Sequence, residues 1–203
     1  MLAWTHETLQ NVPRRIPTAD EDEASPTLTI TTDASQWGWA AATIDHASGT
    51  AHTYQQAWST DEIGRMGESA TAEPEAVWRA VCRAVRPQDK VVEILTDHQP
   101  LVFPSAKGYA KGWNPNLLML RLHAAFPSTR FIITHIAGVD NPSDEASRGG
   151  TWNWAAIQKA MQLAAAEQRE ERRKIAQGAD QREGEAELAP AYNKRQRMRE
   201  FMI

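Results

Sequence analysis

The 203-residue sequence contains a single cysteine, Cys82, and no apolar stretch approaching the roughly 18 residues that a membrane-spanning helix needs. One thiol cannot form an intramolecular disulfide or a thiolate metal cluster, so a reducing compartment is favoured. Positive charge is also scarce, because 22 Lys and Arg residues face 26 Asp and Glu residues and the formal net charge is −4. A nucleic acid would therefore have to be bound through a local surface or through bridging metal ions.

Composition shifts along the chain predict three segments. Residues 1–26 include prolines and an acidic stretch, which predict an N-terminal arm or linker. Residues 27–150 have regular strand and helix patterns and should form one domain. Residues 151–203 begin with an amphipathic pattern that predicts a helix capped by Thr151, with Trp154, Ile157 and Met161 on its apolar face and with Trp152 and Trp154 as anchors. They end in charged sequence typical of a solvated helix or tail.

Within residues 27–150 the element order is predicted to be βββαβαβα. Strands are predicted at residues 27–33, 37–44, 51–57, 90–97 and 129–136. Helices are predicted at residues 71–85, from a cap at Asn114 with Pro115 in its first turn, and in NPSDEASRGG. The first three strands should form an antiparallel meander, and the later strands should join it in parallel through helical crossovers. The predicted fold class is therefore α/β, with a mixed five-stranded sheet flanked by helices.

Four carboxylates occupy positions that a structural role explains poorly. Asp33 and Asp97 each end an apolar strand, and parallel neighbouring strands would bring them to the same edge of the sheet. Glu73 continues the buried face of its helix, by helical spacing. Asp144 lies in the first turn of the last short helix, where stabilisation of the helix N-terminus is an alternative role.

These four carboxylates would repel one another at a common site and raise one another's pKa values unless a cation neutralised them. A pair of divalent cations with oxygen ligands removes the repulsion. The chain has one cysteine and six histidines, so Mg²⁺ or Mn²⁺ suits such a site better than Zn²⁺.

The acids lie in four motifs: TDAS, WSTDE followed by AEPEA, ILTDHQPL, and HIAGVDNPSDEASRG. Together, and in this order, these motifs resemble the ribonuclease H domain that follows reverse transcriptase in LTR and tyrosine-recombinase retrotransposons. The resemblance covers residues 27–150. More weakly, LAWTHETLQNVPRRIP resembles the connection between a polymerase thumb and such a domain.

The resemblance implies a ribonuclease H-like fold and endonucleolytic hydrolysis of the RNA strand of an RNA–DNA hybrid. It implies that two Mg²⁺ or Mn²⁺ ions are bound by four acids, which are Asp33, Glu73, Asp97 and Asp144, with Asp33 bridging both ions. One ion would be held by Asp33 and Asp144, and the other by Asp33, Glu73 and Asp97. The residues implied to face the minor groove of the hybrid are Ala34, Ser35, Gln36 and Trp37.

Two features refine this expectation. Cellular enzymes of this fold carry a histidine in the loop before the last acid, and no histidine occurs here between Gly138 and Asp144. The short loop fits the retroelement branch. Lys107 and Lys111 in SAKGYAKGW are the best candidates for a local basic surface that contacts the DNA strand.

Two other hypotheses stay open. A domesticated, non-catalytic copy could serve as a scaffold in a nucleoprotein assembly, contacting a reverse transcriptase polymerase domain or another protein through the N-terminal arm and the C-terminal helix. A DDE-type integrase or transposase shares the fold, but the helix position of Asp144 and the TDHQPL motif speak against it. Retention of all four acids favours the enzyme over the scaffold, because a carboxylate cluster is costly to keep without a chemical role.

Overall fold

The computed structural model describes residues 25–102 and 112–162, and its centre is one five-stranded sheet. The strands are β1 Leu28–Ala34, β2 Gly38–Asp45, β3 Thr50–Ala57, β4 Val91–Thr96 and β5 Arg130–His135. Their order across the sheet is β3-β2-β1-β4-β5. The pairs β1–β2 and β2–β3 are antiparallel, whereas β1–β4 and β4–β5 are parallel. The predicted mixed five-stranded sheet, an antiparallel meander followed by parallel strands, is confirmed.

The helices are α1 Thr60–Ile63, α2 Ser69–Ala84, α3 Trp113–Ala125 and α4 Asp144–Ser147, with a 3-10 turn at Gly138–Asp140. Residues 99–102 and 154–162 are also helical, each next to residues that the structure does not describe. None of the helices in the described ranges combines the length and hydrophobicity needed to cross a bilayer.

The core lies between the sheet and the apolar face of α2. Ala76, Val77, Ala80 and Val81 are fully buried on that face, at the three-to-four spacing of an amphipathic helix. Opposite them, Ile30 and Ile94 are fully buried on the two central strands. These contacts fix α2 over β1, and thereby place the first turns of α2 beside the end of that strand.

The start of α3 differs from the prediction. Gly112 precedes the helix as its N-cap residue, and Asn114 lies inside the first turn. Pro74 inside α2 has no N–H, so the carbonyl of Ala70 receives no helical hydrogen bond from it. The Asn114 side-chain amide donates to that carbonyl over 3.0 Å and to Thr71 Oγ1 over 3.2 Å. Asn114 therefore connects α3 to α2 and does not cap α3.

The helix after residue 153 also begins later than predicted. Asn153 Oδ1 accepts the N–H of Ala156 over 3.1 Å, so Asn153 and not Thr151 satisfies the first turn. Trp154 is 56% exposed, whereas Ile157 is buried and anchors the helix. The predicted segment boundaries stay predictions, since residues 1–24 and 163–203 lie outside the described ranges.

Candidate active site

Three of the four predicted acids meet at one edge of the sheet. Asp33 lies near the end of β1, Asp97 directly follows β4, and Glu73 projects from α2. Each offers one carboxylate oxygen, and the three oxygens lie within 4.8 Å of one another. Since β1 and β4 are parallel neighbours, their carboxyl ends necessarily share this edge.

Two of these carboxylates are almost completely buried. Asp33 is 3% exposed and Glu73 is 5% exposed. Glu73 Oε1 accepts the backbone N–H of Ala34 over 3.3 Å, while Glu73 Oε2 has no hydrogen-bond partner among the described residues. A buried polar oxygen without a partner is costly, and a cation would satisfy it.

Burial and mutual repulsion favour the protonated forms of both acids. Burial is the main cause that raises the pKa of Glu73 to about 9, and the charges of Asp33 and Asp97 add to the effect. Burial likewise raises the pKa of Asp33 to about 7, opposed by a hydrogen bond from Ser147. A divalent cation would reverse this preference by stabilising the carboxylates. An all-oxygen, carboxylate-rich set of donors suits Mg²⁺ or Mn²⁺.

Asp144 lies close to this cluster but is engaged elsewhere. It is the first residue of α4, its charge contributes to the raised pKa of Asp33, and it is outside the group of three oxygens that lie within 4.8 Å. Both of its oxygens accept from Arg148: Nη1 lies 2.6 Å from Oδ2 and Nη2 lies 2.7 Å from Oδ1. The described geometry thus brings Asp33, Glu73 and Asp97 together and leaves Asp144 paired beside them.

Two residues of this site were not predicted from the sequence. The Ser147 hydroxyl donates to Asp33 Oδ2 in a short hydrogen bond. Gly138 lies so close to Asp97 that a Cβ atom there would come within 3.1 Å of Asp97 Oδ2. For Ser147, the available signal was its spacing from Asp144, three residues on and one helical turn away. For Gly138, no local pattern indicates the contact.

A groove of about 400 Å³ is lined by Ala34 and Ala72, the sequence neighbours of Asp33 and Glu73, but not by the carboxylates themselves. Its lining includes all four residues that the resemblance places against a hybrid, together with residues before and in the first turn of α2 and the residue that follows α4: Ala34, Ser35, Gln36, Trp37, Met66, Gly67, Ser69, Ala72 and Arg148. Trp37 is 61% exposed there. Lys107 and Lys111, the other predicted nucleic-acid contacts, lie outside the described residues.

The turn that forms one wall of the groove is held from two sides. Ser35 Oγ donates to the carbonyl of Ser147 over 2.7 Å, which connects the turn to α4. The indole N–H of Trp58 donates to the carbonyl of Ser35 over 2.7 Å, and the backbone N–H of Trp58 donates to the carbonyl of Trp37 over 3.0 Å. The wall is therefore a fixed part of the site.

No protein-family model and no curated protein matches the chain. Among solved structures, the N-terminal RNase H domain of Rv2228c from Mycobacterium tuberculosis, fused to maltose-binding protein, matches at 16% identity with a TM-score of 0.47, covering 61% of this chain and 97% of that one. LC11-RNase H1, isolated from compost by a metagenomic approach, matches at 17% identity with a TM-score of 0.44, covering 62% and 98%. The foamy viral protease-reverse transcriptase matches at 7% identity with a TM-score of 0.34, covering 67% of this chain and 25% of that one.

Proposed function

We propose that the chain is a retroelement-derived ribonuclease H domain that hydrolyses the RNA strand of RNA–DNA hybrids with Mg²⁺ or Mn²⁺. One observation carries this proposal: three carboxylate oxygens from separate elements lie within 4.8 Å of one another, and a fourth acid lies beside them. A cluster of this kind, buried next to a groove, is a costly arrangement that two-metal phosphodiester hydrolysis would explain.

In the proposed chemistry the four acids bind the metal ions. When bound, the metal pair would supply an activated water as the nucleophile and would stabilise the leaving 3′ oxygen. Asp33, Glu73 and Asp97 would hold the ions, and the Ser147 hydroxyl would orient Asp33. Asp144 would complete the ligand set after it leaves Arg148.

The groove next to the carboxylate cluster would bind part of an extended nucleic-acid substrate. Ala34 to Trp37 form a wall next to the carboxylates, and Trp37 presents a largely exposed ring. Backbone groups and small side chains in this wall would read the shape and the 2′-hydroxyls of a minor groove, with little dependence on base sequence. The net charge of −4 makes metal ions the main bridge to the phosphates.

Cleavage of a labelled RNA–DNA hybrid in Mg²⁺ or Mn²⁺ tests the proposal. The native chain should cut only the RNA strand of the hybrid, and Asp97→Asn should lower the rate at least ~100-fold, because one oxyanionic ligand becomes a neutral amide. Asp140→Asn is the matched control, since this exposed acid belongs to the neighbouring 3-10 turn and lies outside the carboxylate cluster.

The scaffold hypothesis is the contrary outcome. If the native chain neither cuts the hybrid nor binds Mn²⁺, the fold would serve an assembly instead. Binding to a polymerase domain through residues 1–26 or 151–203 stays a separate proposal, which pull-down with and without those segments would test.

A further inference from the structure

Arg148 occupies a position that the proposed reaction does not use. Its guanidinium donates two hydrogen bonds to Asp144, at 2.6 and 2.7 Å; Asp144 begins α4, and Arg148 is the residue that directly follows this short helix. Its side chain is nevertheless 57% exposed. Among the described residues that line the groove, Arg148 is the one cationic side chain.

We propose that Arg148 is an exchangeable counter-ion: it holds Asp144 in the metal-free chain and moves to a phosphate of the bound nucleic acid when Asp144 turns to a divalent cation. The inference rests on the proposed function for the identity of the nucleic acid. The exchange itself depends only on the residues around α4 and on divalent metal.

The first step follows from the charges at Asp144. Both oxygens of Asp144 accept from Arg148, so each oxygen already has a charged hydrogen-bond donor. A cation at Asp144 would be repelled by the guanidinium and would displace at least one of the two hydrogen bonds. Because the side chain of Arg148 is 57% exposed, water can solvate the guanidinium as the pair separates, which lowers the free-energy cost of the exchange.

The second step follows from where the freed group lies. Arg148 lines the groove together with Ser35 and Trp37, so its released guanidinium would lie within reach of a phosphate bound there. A planar guanidinium binds phosphate through two parallel hydrogen bonds, which an ammonium cannot reproduce. Arg148 would thus compete with the metal ion for Asp144 in the free chain, and it would help to bind a phosphate of the nucleic acid in the complex.

The two roles predict opposite effects of a single substitution. Arg148→Gln should bind Mn²⁺ about three- to tenfold more tightly in the absence of nucleic acid, as measured by isothermal titration calorimetry, because the competing cation is gone. The same variant should bind an RNA–DNA hybrid about three- to tenfold more weakly in fluorescence anisotropy, and its binding should depend less on salt, with the log–log slope reduced by about 1. Arg148→Lys should fall between the native chain and Arg148→Gln in both assays.

Arg86→Gln is the matched control, because it removes an exposed arginine that pairs with Asp45 at the other end of β2. It should leave the metal affinity unchanged. Thermal melting of each variant checks that the fold is retained. Unchanged or weaker Mn²⁺ binding by folded Arg148→Gln would overturn the exchange, and unchanged hybrid affinity would overturn the phosphate contact. A native chain that binds Mn²⁺ but does not cut the hybrid would contradict the proposed function, while the metal titration would still decide the exchange.

Discussion

At the scale of single residues, Asp33 is the centre of the site. Asp33 is buried and accepts a hydrogen bond from the Ser147 hydroxyl. The negative charges of Asp97 and Asp144 contribute to raising its pKa. The same features that would make it a good metal ligand make its negative charge unfavourable in metal-free solution. Function and stability therefore oppose each other at this residue.

Asp33→Asn should abolish detectable cleavage of the hybrid while leaving the metal-free chain as stable as the native one or more stable. The amide oxygen can still accept from Ser147, and the change removes a charge from among like charges. Cleavage assays and thermal melting in EDTA measure the two effects. A loss of more than ~2 kcal/mol in the free energy of unfolding would identify Asp33 as a structural acid.

The raised pKa of Glu73 predicts the direction of the pH dependence. In the folded chain its pKa is about 9, against an ordinary value of 4.5, so between these values the folded state binds more protons than the unfolded state. The free energy of unfolding must then decrease as pH rises. The stabilising contribution of Glu73 is fully present below about pH 4 and is completely lost above about pH 9. Asp33 acts in the same direction over a shorter interval, up to about pH 7.

Thermal melting in EDTA across this interval tests that expectation. Subtracting the Glu73→Gln profile isolates the contribution of Glu73, because glutamine does not titrate. The native chain should lose melting temperature relative to the variant as pH rises. A difference that is flat, or that grows in favour of the native chain at high pH, would show that Glu73 titrates normally.

At the scale of elements, α1 and α2 together support the groove. Trp58 holds the turn after β1 through the carbonyl of Ser35, and the guanidinium of Arg79 lies 4.9 Å from the centre of the Trp58 ring. Arg79 is in turn paired with Glu62 of α1 and with Glu75. A hydrogen bond from the backbone of Ser59 lowers the pKa of Glu62 to about 2, with further help from Arg79.

Trp58→Phe should raise KM for the hybrid several-fold and change kcat much less. The variant keeps most of the packing but loses the indole N–H that fixes the groove wall, a hydrogen bond of about 1 kcal/mol. Steady-state kinetics measures the separate effects on KM and kcat. Trp78→Phe is the control, because Trp78 contacts Arg121 and does not line the groove; an equal effect of both variants would mean a general loss of packing.

The sequence predicted the elements well and their ends less well. Runs of apolar, hydroxyl-bearing and aromatic residues placed all five strands, and helical spacing put Glu73 on the buried face of its helix, because both signals depend on the local order of residues. The predicted start of α3 was wrong because Asn114 does not cap its own helix. Pro74 leaves the carbonyl of Ala70 without a helical hydrogen bond, and Asn114 donates to this carbonyl across the two helices, which a local capping rule cannot predict. The contacts of Ser147 and Gly138 with the acids likewise exist only after β1, β4 and the last loop have assembled.

At the scale of the whole molecule, the site is a product of topology. Its three clustered acids come from β1, α2 and the residue after β4, and only the order β2-β1-β4 within the sheet brings them together. An unfolded chain would have no comparable site. Metal binding should therefore be coupled to folding.

Addition of Mn²⁺ at about 100 times its dissociation constant should stabilise the native chain by about 2.7 kcal/mol, the value expected for one ion that binds only the folded state. Thermal melting with and without Mn²⁺ measures the gain. Glu73→Gln should show a much smaller gain although it starts from an equal or higher melting temperature in EDTA. Equal gains in both proteins would place the metal elsewhere.

The four-residue helix α4 and the residue after it have a consequence for protein engineering. This segment contributes an acid, the hydroxyl that orients Asp33, the groove-lining arginine and the carbonyl to which Ser35 is attached. The proposed catalytic and substrate-binding roles therefore share this segment, and randomising residues 144–148 should alter both at once. A library meant to change preference alone should vary Gln36 and Trp37, whose exposed side chains line the groove without contributing to the carboxylate cluster.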